Sequence, residues 1–81
     1  MQLTQLRNFI TMVDAGSIRA GARELGISQP AATKGLRALE QELDTVLVQR
    51  SSRGVVLTEA GKAFLTRARA VQREIRQARE E

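Results

Sequence analysis

Ser17-Ile18-Arg19-Ala20-Gly21-Ala22-Arg23-Glu24-Leu25-Gly26-Ile27-Ser28-Gln29-Pro30-Ala31-Ala32-Thr33-Lys34 reads as a short helix, a glycine turn and a second helix. Ser17 and Ser28 each stand where a hydroxyl can accept one of the backbone N–H groups left without a partner at a helix start. Gly26 follows the last apolar residue of the first of these helices, where the left-handed backbone that ends a helix favours glycine. Pro30 falls in the first turn of the second helix, where its missing N–H is no loss. Two helices joined by so few residues must cross steeply. That arrangement is the helix-turn-helix, which sets one helix into the major groove of DNA.

Working outward, Leu3, Leu6, Phe9, Ile10 and Val13 recur at helical spacing, which predicts an amphipathic helix over residues 3–14. Asp14-Ala15-Gly16-Ser17 ends it and starts the next. Ile18, Ala22 and Leu25 give the second helix a narrow apolar stripe of mostly small residues, suited to close packing by a neighbouring helix. Ala32, Leu36, Leu39 and Leu43 share one face of a third helix expected over 28–43.

Beyond Asp44-Thr45 the pattern changes. Leu47-Val48-Gln49-Arg50 and Val55-Val56-Leu57 are strand-like and flank the polar connection Ser51-Ser52-Arg53-Gly54, which predicts a β-hairpin. Thr58-Glu59-Ala60-Gly61 then opens a last helix that runs to the C-terminus, with Thr58 as its cap and Glu59 at the positive end of its dipole. The expected fold is mainly α: a winged helix-turn-helix of three helices plus a β-hairpin wing over residues 1–57, then a long linker and dimerisation helix over 58–81.

Composition narrows the function. The 81 residues make one small domain, and 13 Lys and Arg against 9 Asp and Glu leave a net charge of +4, which fits a polyanionic partner. The absence of cysteine and histidine removes disulfides, the usual zinc ligands and the usual general base, so neither a metal, a cofactor nor an enzyme is expected. No apolar run approaches the roughly 20 residues that span a bilayer, and no signal peptide is visible, so the expected compartment is the cytoplasm.

Gln29, Thr33 and Arg37, four residues apart, form one row on the third helix, with Lys34 beside them. Glutamine can pair with adenine N6 and N7, threonine offers a hydroxyl and a methyl, and lysine or arginine reach guanine or phosphate. A solvated helix face can carry the same residues, but the short turn before this helix and the hairpin after it favour DNA. Pro30 serves either as a first-turn proline or as an apolar contact for a thymine methyl. Arg53 at the hairpin tip is placed to enter a minor groove; Arg50, nearer the strand, fits that role or simple solvation. Ser17, as a helix cap, and Arg19 one turn in form a candidate phosphate site, and Ser28 caps the reading helix itself. On the last helix Ala60, Phe64, Ala68, Val71, Ile75 and Ala78 make one stripe. Its members Phe64, Ala68, Val71, Ile75 and Ala78 are the expected dimerisation contacts, and the early part of the helix is expected to lie on its own domain. A winged domain that binds protein instead of DNA is the alternative, but it would need an apolar row where Gln29, Thr33, Lys34 and Arg37 stand.

These residues in this order resemble the N-terminal DNA-binding domain of LysR-type bacterial transcriptional regulators. The resemblance rests on Leu6-Arg7-Asn8-Phe9, Gly16-Ser17-Ile18, Ala22 through Ala31, Leu39-Glu40-Gln41-Glu42-Leu43, Leu47-Val48-Gln49-Arg50 and Leu57-Thr58-Glu59-Ala60-Gly61. It implies a homodimer joined through antiparallel linker helices, a tetramer in the full-length protein, and two winged domains meeting successive major grooves of a palindromic operator. It also implies that Gln29, Pro30, Thr33 and Lys34 approach bases and backbone, that Arg53 reaches the minor groove, and that an effector-binding domain of two α/β lobes lies outside these residues. Some positions depart from the family pattern. Gly21 and Gly35 replace alanine or larger residues inside helices, at about 1 kcal/mol each. Ala32 replaces a larger aliphatic, Asp44 a common glycine, Val48 a common phenylalanine and Thr33 a frequent serine.

Overall fold

Helices α1 (Leu3–Ala15), α2 (Ile18–Leu25) and α3 (Gln29–Leu43) are followed by strands β1 (Val48–Ser51) and β2 (Gly54–Leu57) and by helix α4 (Glu59–Glu80). The chain is described by a computed structural model covering residues 1–81, with Arg50 described by its backbone alone. Fold class and element order are those expected: a mainly helical winged helix-turn-helix.

The three hydroxyl caps form as read from the sequence. The Oγ atoms of Ser17 and Ser28 accept from the N–H of Ala20 and Ala31 at 3.0 and 3.1 Å, and Thr58 Oγ1 accepts from Gly61 N–H at 2.9 Å. Gly26 ends α2 in the left-handed conformation, at φ +70°. Asp44 ends α3 in the same conformation, at φ +51°, although its Cβ is crowded there.

The wing differs in one detail. Ser51 pairs with Gly54, so the turn is the two residues Ser52 and Arg53 rather than four. Ser51 Oγ accepts from Arg53 N–H at 3.1 Å and tightens it, while the positive φ of +100° falls on Gly54, the residue after the turn.

Phe9, Met12, Ala22, Ala32, Leu36, Leu39, Leu47 and Val48 form the buried core, each large side chain contributing about 1.5–3 kcal/mol. Gly21 is no mere weakness in α2. A Cβ there would lie 2.7 Å from Met12 Cα, so the bare backbone is what lets α1 and α2 cross closely. Leu47 ties the wing to the body, for its carbonyl accepts from Thr58 N–H at 3.0 Å and lies against Gly61.

Helix α4 begins inside this core. Phe64 meets Phe9 edge to face with ring centroids 5.6 Å apart, and Ala68 is 1% exposed. Farther along, Arg69 grips Asp14 of α1 through two bonds of 2.7 and 3.3 Å. Of the five expected dimer contacts, Phe64 packs partly buried against its own core and Ala68 is buried within the protomer. Val71 and Ala78 are exposed, and Ile75 is half-buried.

Candidate nucleic-acid interface

The first turns of α2 and α3 and the strand β1 converge on one crevice of about 190 Å³. Ser17 and Arg19 line it from α2, Gln29 from α3, and Gln49, Ser51 and Gly54 from the wing. Two helix starts, with their outward N–H groups, therefore lie beside the hairpin. Ile18, Val48 and Val55 complete the lining, and it is the two helix starts that favour anions.

Sequence reasoning placed Ser17, Arg19 and Gln29 at the interface but not Gln49, Ser51 or Gly54. No alternation marked Gln49, because Leu47 and Val48 are both buried before this exposed residue; only the folded structure sets Gln49 in the same crevice as Gln29. Gln29, Pro30 and Lys34 are exposed, Thr33 is half-buried, and Ser28 holds the start of the helix that carries them. Arg53 is exposed at the turn. The Arg50 backbone pairs with Val55, and its side chain lies outside the described residues.

The cations divide into two groups. Among the described residues Arg37, Lys62 and Arg69 are paired with Glu40, Glu59 and Asp14. Arg19 in the first turn of α2, Lys34 in the second turn of α3 and Arg53 at the wing tip have no such partner, nor do Arg7, Arg23, Arg67, Arg73, Arg76 and Arg79. Arg37 departs from the simple picture of a free row, because its Nη1 donates to Glu40 Oε1 at 3.0 Å. The Arg69 hydrogen bonds hold the Asp14 carboxyl below its ordinary value; slight burial opposes them and the Arg69 charge adds to them.

Elsewhere, α1 and α4 enclose a groove of about 350 Å³ whose lining includes Leu3, Leu6, Ile10, Ala68, Val71 and Ile75 together with Arg7, Arg76 and Arg79. No group of three or more His, Cys, Asp or Glu among the described residues is arranged to hold a metal. Among the described residues no helix is long and apolar enough to cross a membrane.

Two crossing helices with a reading face, a hairpin beside them and a long trailing helix define the class of winged helix-turn-helix domains. Residues 3–62 match the family described as "Bacterial regulatory helix-turn-helix protein, lysR family", and the chain belongs to that family. It is 52% identical over 69 residues to the HTH-type transcriptional regulator ClcR of Pseudomonas putida, covering 85% of this chain and 24% of that protein. With TcbR of Pseudomonas sp. (strain P51), also an HTH-type transcriptional regulator, it shares 46% over 71 residues, 88% of this chain and 24% of the relative. The chain thus spans about a quarter of the length of these curated relatives. Among solved structures, the DNA-binding domain of CbnR in complex with DNA is similar with a TM-score of 0.92 and 41% identity, covering 99% of this chain and 92% of that one. The BenM DNA-binding domain on benA site 1 DNA is similar with a TM-score of 0.93 and 32% identity, covering 99% and 90%.

Proposed function

We propose that this chain is the double-stranded DNA-binding unit of a dimeric LysR-type transcriptional regulator acting in the cytoplasm. Residues 1–57 form the reading unit and 58–81 the linker that joins two copies. The carrying observation is the crevice where Gln29 and Gln49 meet Ser17 and Arg19 at the capped start of α2, with Lys34 on α3 and Arg53 at the wing tip also exposed and, like Arg19, without ion-pair partners among the described residues.

In this reading α3 enters the major groove start first. Gln29 and Thr33 meet base edges, Pro30 lies against a thymine methyl, and Lys34 meets phosphate or guanine. The capped start of α2 at Ser17, with Arg19, takes a phosphate, and the wing places Arg53, with Arg50 behind it, at the minor groove. The groove between α1 and α4 supports the dimer. Its apolar lining at Val71 and Ile75, continued by Ala78, fits the same stripe of a second α4 laid antiparallel. Two copies then meet half-sites one or two helical turns apart on a palindromic operator. Tetramer formation belongs to the full-length protein.

Selection of bound duplexes from a random library, followed by mobility shifts, tests the proposal. A palindromic consensus is expected, with affinity falling steeply as salt rises, by roughly 0.9 log units per log unit of salt for each phosphate met. Joint replacement of Gln29 and Thr33 by alanine is expected to lower discrimination by about 1–3 kcal/mol. Binding that ignores both salt and this double replacement overturns it.

A further inference from the structure

Glu40 is the one buried charged side chain among the described residues, 7% exposed, on the inner face of α3 beside Leu36 and Leu39. Its two oxygens are divided. Oε2 accepts from the backbone N–H groups of Leu47 and Val48 at 2.8 and 3.3 Å, which fastens the root of the wing to the end of α3. Oε1 accepts from Arg37 Nη1 at 3.0 Å.

Arg37 stands in the row of Gln29 and Thr33, with its side chain half exposed. A helix directs long side chains back toward its own start, yet Glu40 lies one turn toward the end and draws the guanidinium that way. The guanidinium is planar and carries five N–H donors; the bond at Nη1 limits where it can swing and leaves the other donors without a protein partner among the described residues.

Resting on the DNA-binding reading above, we propose that Glu40 is a positioning residue for sequence recognition. It restrains Arg37 so that this arginine addresses a base edge rather than roaming among phosphates. The same carboxylate sets the wing root, so the direction of a major-groove side chain and the seat of the minor-groove wing are determined by one group. Wing anchoring alone would need only an acceptor for Leu47 and Val48. The negative charge turned on Arg37 is what carries the inference further.

Glu40→Gln separates the two duties. Its amide oxygen still accepts from Leu47 and Val48, while its NH2 group faces Arg37 and releases it. The 81-residue chain is titrated by fluorescence anisotropy with a duplex selected from a random library by the wild-type chain, and with a scrambled duplex, over a range of salt. E40Q is expected to lose about tenfold in preference for the selected duplex. Its salt dependence is expected to steepen by about one unit of slope, as for one added phosphate contact. R37A leaves the Glu40 bonds to the wing intact and is expected to lose a similar preference; adding E40Q in the R37A background is expected to change preference no further. Equal weakening on both duplexes, with the same step in the presence and absence of R37A, overturns the inference, because Glu40 is then only a wing anchor. Unchanged preference in R37A overturns it even if E40Q fails to fold. A wild-type chain that prefers no duplex sinks the DNA-binding reading itself, a separate result.

Discussion

The backbone N–H of Val55 donates to the carbonyl of Gly16 at 2.9 Å, so the wing hangs from the turn between the first two helices. The approach is so close that a Cβ on Gly54 would collide with that same carbonyl, and Gly54 also has φ +100°. Gly54→Ala is therefore expected to lose about 1–3 kcal/mol of stability by thermal unfolding, from combined strain and overpacking. DNA affinity should fall with it, because the wing is displaced from the crevice that it shares with Gln29.

Two other glycines should respond in opposite directions. A Cβ on Gly61 would run into the Leu47 carbonyl, whereas one on Gly35 would meet nothing within 4 Å. Gly61→Ala is expected to lower stability by about 1–3 kcal/mol, as overpacking does. Gly35→Ala is expected to raise it by up to about 1 kcal/mol, the helix preference of alanine, or about 4–8 °C in Tm.

Asp44 closes α3 at φ +51°, ψ +44°, where a side chain is crowded. Asp44→Gly should relieve roughly 0.5–1 kcal/mol, the smaller part of the left-handed penalty since aspartate tolerates this region better than most residues. Chemical denaturation measures the gain; a loss would mean that the Asp44 side chain supplies a contact of its own.

Arg69 holds the Asp14 carboxyl below its ordinary value of 3.8. A carboxyl with a lowered pKa in the fold stabilises above its unfolded pKa, and that contribution disappears as pH falls through the folded one. Both partners are substantially exposed, so the pair contributes only about 0.2–1 kcal/mol near pH 7. Asp14→Asn should lower stability by that amount at neutral pH. The difference should shrink in acid below the ordinary aspartate range, and in high salt.

Val71→Glu and Ile75→Glu place charge in the lining of the α1–α4 groove without entering the core. Sedimentation should show weakened self-association, with thermal stability of the protomer nearly kept. Ala68→Glu differs, because Ala68 is buried within the protomer and a charge there has no partner. It should unfold the domain, by loss of helical circular dichroism. Identical sedimentation for V71E, I75E and the parent would remove the groove as a dimer surface.

Much of the fold was legible because its signals are short-range. Ser17, Ser28 and Thr58 cap helices through bonds to the third residue onward, so residue type and position suffice to read them. The Leu36–Leu39–Leu43 spacing likewise announces a buried face. The polar row Gln29, Thr33 and Arg37, with Lys34 beside it, followed as its complement. The role of Glu40 was not read, although it stands at helical spacing from Leu36 and Leu43. An acid on an apolar stripe has meaning only once its acceptors meet N–H groups seven and eight residues away.

Local hydrogen bonding and helical periodicity therefore told where each element starts, ends and turns its apolar side, since both act within a few residues. Which surface covers each apolar side depended on the chain folding back on itself. Phe64 and Ala68 looked like Val71 and Ile75 along the stripe, but Phe64 packs on Phe9 and Ala68 is buried, whereas Val71 and Ile75 line an open groove beside α1. Gly21, read as a weak point of α2, became the crossing point with Met12. Close approach between distant segments is a property of shape, and only the assembled structure decides it.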